Sequence, residues 1–416
     1  MPPAPALTRR SAVRPILSGD RAVHQDPQVF RLLAAGVFGA LVRWFEILAF
    51  GILTWQQTGS AFWVASMTML RILPMGLFGV PFGALAARIR RRTGLLVTQV
   101  VLFATSVVLM ALAIADALEV WHLAVGSFIN GTAWAGDNPL RRGLIGDLAG
   151  AERMPRAMAF EALANSACRL LGPALGGVLL AGGGTPAVFA VTSLLYLAAF
   201  GVLLGLADPP PRPASAPSGI GEVLAGGFRA TRESPRLAAT LWITLVFNIF
   251  AWPVLSMIPV IGQQRLGLGT EAVGLLASMD GVGSFAGAAV LMLVARRSWH
   301  GRLYVGGVAV YLAGLAAFAL SPHALLAAAA LLLVGLGHSG FSTMQAALVY
   351  TSAPAERRSE AMGLLSMCIG LGPIGFISVG WLAARVGAPA AALSCSLAGL
   401  FCLAVSWRLW RVCFRP

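Results

Sequence analysis

The feature that most restricts this chain is its succession of apolar runs. Each is close to the roughly 20 residues that a helix needs to cross a hydrocarbon layer. They lie near 31–53, 61–83, 94–115, 121–148, 157–181, 186–206, 237–261, 271–295, 303–320, 323–349, 359–384 and 388–408, separated by short polar breaks. Twelve such runs predict an all-α integral membrane protein. Charged residues make up 11% of the chain and hydrophobic ones 58%, whereas soluble domains carry about 25% charged residues. A soluble fold has nowhere to bury this much apolar surface.

Arginine placement orients the runs. The net charge is +14, and all 30 basic residues are arginine. Short cytoplasmic loops retain such residues. Twenty-five arginines fall in the two tails and on alternate loops, only Arg265 and Arg385 fall on the opposite loops, and Arg43, Arg71 and Arg169 lie inside spans. Both termini are therefore expected on the cytoplasmic side. The arginines are dispersed between apolar runs without an aromatic stacking platform, which argues against nucleic acid as a partner. The partner of the arginine clusters is the lipid bilayer. Residues 1–30 contain Arg and Pro but no apolar core, so no cleavable signal peptide is expected and the first run serves for targeting.

Residues 207–236, "ADPPPRPASAPSGIGEVLAGGFRATRESPR", form the longest polar stretch, and their Pro, Ser and Gly content suits a semi-flexible linker. The expected organisation is a cytoplasmic tail over 1–30, a six-helix bundle over 31–207, a linker over 208–236, a second six-helix bundle over 237–408 and a tail over 409–416. "SACRLLGP" at 166–173 recurs as "SMCIGLGP" at 366–373, which supports two related halves. Parallel halves with a site between them are a recurrent architecture of secondary transporters. The five cysteines make no CxxC pair, and no metal-ligand cluster, cofactor motif, P-loop or nucleophile–base set is present, so neither an enzyme nor a metal site is expected.

The turn "PFGALAARIRRRTG", Pro81 to Gly94, resembles the signature that major facilitator superfamily transporters carry after their second span. Gly83, Arg88, Arg91 and Arg92 match it, whereas Ala87 stands where the family has an acid and Arg90 where it has a second glycine. In the fifth span "GPALGG", with Gly172, Pro173, Gly176 and Gly177, is similar to the motif of the superfamily's exporters, and its surroundings resemble the enterobactin-exporter branch. The resemblance covers residues 31–408. It implies two pseudo-symmetric six-helix bundles and alternating access driven by protons without nucleotide or cofactor. It also implies a monomer in a bacterial inner membrane, exporting a drug- or siderophore-like amphipathic molecule. A proton-coupled importer, or a transporter-like sensor or scaffold, shares the fold.

Ionisable groups inside spans mark candidate working residues. Arg43 and Glu46 in "LVRWFEIL" share a helix face and are placed to pair. Separating them would let Glu46 capture or release a proton. Asp137 in "GTAWAGDNPLRRG" is the second proton-carrier candidate, with satisfaction of local backbone as its structural alternative. Arg71, beside the Pro74 kink, and Arg169 are candidates for receiving an anionic substrate or for pairing a carboxylate. Asp280 is expected to pair with Arg169 or to line the cavity, on one face with the small-residue groove of Gly283, Ser284 and Gly287. His338 in "GLGHSGFSTMQ" is a further proton-coupling candidate, with a packing role as its alternative. Trp44 and Trp134 are candidates for stacking on substrate, while Trp55 and Trp63 suit interfacial anchoring.

Overall fold

The computed structural model describes residues 26–86, 88–207, 220–294, 299–354 and 357–414, and among them every regular element is helical. Helix α1, Pro27–Thr58, begins behind Asp26, whose carboxylate accepts the Gln28 N–H at 3.1 Å, and ends at Gly59 with φ 60°. Helices α2, Ala61–Ala86, and α3, Arg91–Ile114, follow. The next element, α4, runs over Val120–Leu204 but changes direction at Gly150 (φ 73°, ψ 168°) and Gly184 (φ 67°, ψ −172°). Only glycine adopts such backbone without strain. The chain thus passes through limbs at 120–149, 151–183 and 185–204 with almost no intervening loop. Of the segment expected as a linker, 208–219 lie outside the described residues, whereas Ile220–Glu233 form helix α5.

The second half begins at Ser234, whose hydroxyl accepts the Leu237 N–H at 3.3 Å. Helix α6 extends over Pro235–Arg265 with π and 3-10 turns in its centre. Pro253 and Pro259 lack the N–H that regular helix would use there. Then come α7, Thr270–Val294, α8, His300–Leu320, and α9, Ala324–Ser352. The single run expected over 359–384 is two helices, α10, Arg358–Gly370, and α11, Gly372–Val386, interrupted at Leu371 just before Pro373. Helix α12 is Ala388–Val405. Among the described residues ten helices are long and apolar enough to cross a membrane, with Arg156–Leu204 counted once despite its bend at Gly184 and Glu360–Val386 counted once across Leu371.

Two seams of small residues join the halves. A Cβ built on Gly177 in α4 would come within 2.9 Å of Gly274 Cα in α7, and one on Gly281 within 2.4 Å of Leu170 Cα. On the other side a Cβ on Gly76 in α2 would lie 2.9 Å from the Gly370 carbonyl of α10. Such glycines let helix backbones touch. At the arginine-rich end, where the 88–92 turn lies, the apolar clusters stay within one half each: Leu32, Leu95, Leu144 and Leu203 in the first, Leu237, Leu241, Val349 and Leu364 in the second. At the opposite end they mix. Ala61, Val64 and Ala65 pack with Ile258, Val260 and Ala383, and Val273 packs with the first half. Among the described residues the halves pack on each other at one end and keep separate apolar clusters at the other.

The two copies of the repeated "GP" motif pack differently. A Cβ on Gly172 would sit 2.6 Å from Trp44 Cβ in α1, whereas one on Gly372 would meet nothing closer than the Asn248 carbonyl at 3.8 Å. In α11 it is Gly375, outside the repeat, that approaches α6, at 2.3 Å from the Ile249 carbonyl.

Candidate functional site

Between the halves lies a cavity of about 260 Å³. Residues of α1, α2 and α4 give it a cationic wall with Arg43, Arg71 and Arg169, alongside Trp44 and Trp134. The facing wall, from α6, α9 and α11, is aromatic and neutral-polar: Phe247, Asn248, Trp252, Phe341, Gln345 and Phe376. Arg43, Trp134 and Asn165 also line an adjoining space of about 290 Å³ that includes Leu33, Arg142 and Glu161. The cavity therefore continues toward the arginine-rich end. A smaller pocket of about 70 Å³ extends the other way, past Trp44 and Arg169 to Pro173, Pro259 and Asp280.

Arg169 is the hub of the cavity's floor. Its Nε donates to Asp280 Oδ2 at 2.6 Å, its Nη1 lies 2.8 Å from His338 Nε2, and its guanidinium sits 4.8 Å over the Trp44 ring. Arg169 and Asp280 are each 4% exposed. The pair spans the two halves, α4 to α7, so any relative movement of the halves acts on it. Arginine only donates, so His338 Nε2 must accept, which makes the ring neutral with its proton on Nδ1. That Nδ1 and Asp280 Oδ1 have no hydrogen-bond partner among the described residues. The Trp44 indole is oriented by donating to Asn165 Oδ1 at 3.4 Å.

The second buried carboxylate belongs to the first half alone. Glu46, 1% exposed, accepts at Oε2 from both terminal nitrogens of Arg71 and from Asn130 Nδ2, each at 3.2 Å. Tyr196 in turn donates to Asn130 Oδ1 at 3.5 Å. The pairing of Arg43 with Glu46 expected from their spacing is thus not made. The Glu46 carboxylate turns toward α2, and Arg43 lies 4.8 Å over the Trp134 ring. A spacing of three puts two side chains on one helix face, but a neighbouring helix that offers a better donor fork decides the partner. Asp137 is held by Arg141, one turn on, in a two-pronged bond with both distances 2.8 Å, and Arg141 also donates to the Leu32 carbonyl at 3.2 Å.

The groove of Gly283 and Gly287 does not face α4. A Cβ on Gly283 would meet the Leu332 carbonyl and one on Gly287 would meet Ser339, so this groove receives α9. The face toward α4 carries Gly274 and Gly281 instead, with Asp280 between the two surfaces. In "GPALGG", Gly172 and Gly176 admit Trp44 and Phe45 of α1, while Gly177 admits α7. The motif is a wedge point for three helices. Trp55 is half-buried and Trp63 is exposed.

In the signature turn Arg91 donates to the Gly143 carbonyl at 2.8 Å and pairs with Asp147. Arg92 caps the end of α4, donating to the Leu203 and Leu204 carbonyls at 3.2 and 2.5 Å. Cations are favoured at helix C-termini by the exposed carbonyls. Arg88 is exposed; Ala87 lies outside the described residues, as do the surroundings of Gly83. The sequence reading missed Asn130 and Tyr196 in the first half and Asn248, Ser342 and Gln345 in the second. Polar residues within the apolar runs "SFING", "FNIFAW" and "FSTMQAAL" were the available signal.

The described helices surround a central polar cavity. The Major Facilitator Superfamily profile matches residues 32–372 and again 269–414. The chain belongs to that superfamily, and it is a transporter rather than an enzyme. It is 22% identical over 326 residues, covering 76% of this chain and 79% of the relative, to the Staphyloferrin A transporter of Staphylococcus aureus (strain NCTC 8325 / PS 47). Its fold is similar to a bacterial homologue of the human lysosomal transporter Spinster, solved in an inward-facing and unoccupied conformation (TM-score 0.70, 15% identity, 94% and 97% of the chains covered). It is likewise similar to a point mutant of the nucleoside transporter NupG (TM-score 0.74, 12% identity, 93% and 100% covered).

Proposed function

We propose that the protein is a proton-coupled exporter of a small amphipathic molecule, drug- or siderophore-like, working by alternating access in a bacterial inner membrane. Twelve spans result when Arg156–Leu204 is divided at Gly184 and the limb at 120–149 is added to the ten, and on this reading the arginine-rich end is the cytoplasmic one. The present arrangement, parted at that end, is then inward-facing. The "GPALGG" wedge, similar to an exporter motif, supports export. The similarity to a siderophore transporter supports the substrate class.

The observation that carries the coupling is the Arg169–Asp280 pair, because it joins the two halves at the cavity wall. In the inward-facing state Asp280 is ionised and paired. When the loaded molecule opens to the outside, a proton from there neutralises Asp280, frees Arg169 and, by loosening the α4–α7 seam, holds the outward-facing state while substrate leaves. Rocking back returns the carboxylate to the cytoplasmic side, where the proton departs and the pair re-forms. The proton acts as a ligand that shifts a two-state equilibrium. Glu46 and Asp137 take supporting parts in this scheme. Glu46 is held by three donors within one half, and Asp137 is locked onto its own helix neighbour.

The test is transport into inverted membrane vesicles with an acidic lumen, screened with dyes and siderophores. Accumulation that collapses with the pH gradient and is lost in Asp280→Asn is expected. Gradient-driven movement in the opposite direction would replace export with import. Full activity in Asp280→Asn would remove the coupling role from this residue.

A further inference from the structure

The reading as a transporter leaves the chemistry of its cargo open, and on that reading the cavity's charge distribution carries a further step. We propose that the cavity is an anion site, built for an amphipathic carboxylate whose head binds Arg43 and whose apolar body lies against the second half.

Three guanidiniums line the cavity, and two are already neutralised: Arg71 by Glu46 and Arg169 by Asp280. In the adjoining space Asp137 is fully engaged by Arg141, and the one further acid, Glu161, is matched in number by Arg142. Among the described residues no carboxylate lies within ion-pair distance of Arg43, whose guanidinium rests on the Trp134 ring. One positive charge is therefore left over at the depth of the bilayer. Charges there are costly unless paired, and a ring face stabilises a cation without cancelling its charge. A ligand carboxylate supplies the missing partner, and the planar guanidinium fork matches it in shape.

Two further observations place the ligand. Arg43 and Trp134 line both the central cavity and the space leading to the arginine-rich end, so a solute entering from there meets Arg43 on its way in. The wall opposite offers Phe247, Trp252, Phe341 and Phe376 for stacking and the amides of Asn248 and Gln345 for orientation. With the cations confined to one wall and the facing wall uncharged, the favoured ligand is charged at one end only.

Three probes matched in their aromatic body separate the possibilities: 1-pyrenebutyrate, its neutral analogue 1-pyrenebutanol, and the cation 1-pyrenebutylamine. Each is titrated into the purified full-length protein in detergent, with energy transfer from cavity tryptophans to pyrene as the readout. A charge-assisted bond predicts that the carboxylate binds about ten- to a hundredfold tighter than the alcohol, with the amine weakest. In Arg43→Gln that preference collapses, chiefly through weaker carboxylate binding; in Arg43→Lys part of it remains. Should Arg43→Gln fail to fold, competition in the unaltered protein serves instead: 1-naphthoate displaces the probe at concentrations where 1-naphthalenemethanol does not. Equal binding of the three probes, preference for the amine, or an anion preference that survives Arg43→Gln would overturn the proposal. The assay needs no gradient, so its failure is separable from that of the export reading. Gradient-driven export of a cationic dye without anion preference would sink the anion site alone, and Arg43-dependent carboxylate binding without transport would sink the export reading alone.

Discussion

Neutralising both members of the Arg169–Asp280 pair should cost far less than the two single changes added together. Both side chains are 4% exposed and are joined at 2.6 Å. Asp280→Asn leaves an ionised guanidinium at membrane depth without a counter-charge, a cost of about 3 kcal/mol. The carboxamide oxygen still accepts a bond, which returns about 1 kcal/mol. Arg169→Gln strands the carboxylate at a similar cost and also gives up the Trp44 contact, worth about 1 kcal/mol. The double variant holds two neutral amides that can bond each other, and loses only about 1–2 kcal/mol. The single changes thus add to about 6 kcal/mol, and the cycle predicts a coupling energy of about 4–5 kcal/mol. Neutral interhelical hydrogen bonds in membranes average about 0.6 kcal/mol. Reversible unfolding of the purified variants by SDS titration or steric trapping measures the four free energies. A coupling below about 1 kcal/mol would refute the reasoning, because the pair would then be no more than an ordinary interhelical contact.

Backbone and packing predictions follow from the glycines. Gly150→Ala places a side chain at φ 73°, ψ 168° with nothing crowding it, so the loss should be the backbone cost alone, about 1–3 kcal/mol. Gly201→Ala, in regular helix with equally open surroundings, should instead gain about 0.5–1 kcal/mol, and thermal unfolding distinguishes the two. Gly177→Val drives a side chain into the Gly274 backbone and the Thr270 carbonyl. It should cost about 1–3 kcal/mol and loosen the sealed end. A cysteine at Thr68, on the cavity wall, should then react faster with an impermeant maleimide added from outside. Arg92→Ala uncaps Leu203 and Leu204 and should lower stability by up to about 1 kcal/mol, with no change in probe binding.

Much of the architecture was legible because the bilayer imposes it. The apolar runs fix where most of the helices lie. The juxtaposition of Arg169 with Asp280 was accessible too, since charge at membrane depth must find charge. Helix rotation was not legible. Arg43 and Glu46 share a face by spacing, yet only the position of α2 decides that Glu46 meets Arg71. The same limit hid which neighbour the Gly283–Gly287 groove receives. Turns without loop residues were also hidden, because Gly150 and Gly184 reverse the chain by torsion angle alone. Half of the cavity wall, including Asn248 and Gln345, was overlooked because single polar residues in apolar runs carry little signal until the surrounding helices show which way they point.

Alternation between two states, biased by the Asp280 proton, is tested most directly by distances across both ends of the molecule. Spin labels go on the exposed positions Arg88 and Tyr350 at one end and Trp63 and Val386 at the other, after replacement of the five free cysteines. Electron–electron resonance should find the unaltered pair parted at the arginine-rich end and closed opposite. Asp280→Asn, standing in for the protonated acid, should shift the populations toward short distances between 88 and 350 and long ones between 63 and 386. Unchanged distributions at both ends, in a variant that has lost transport, would contradict the coupling of this carboxylate to the movement of the halves.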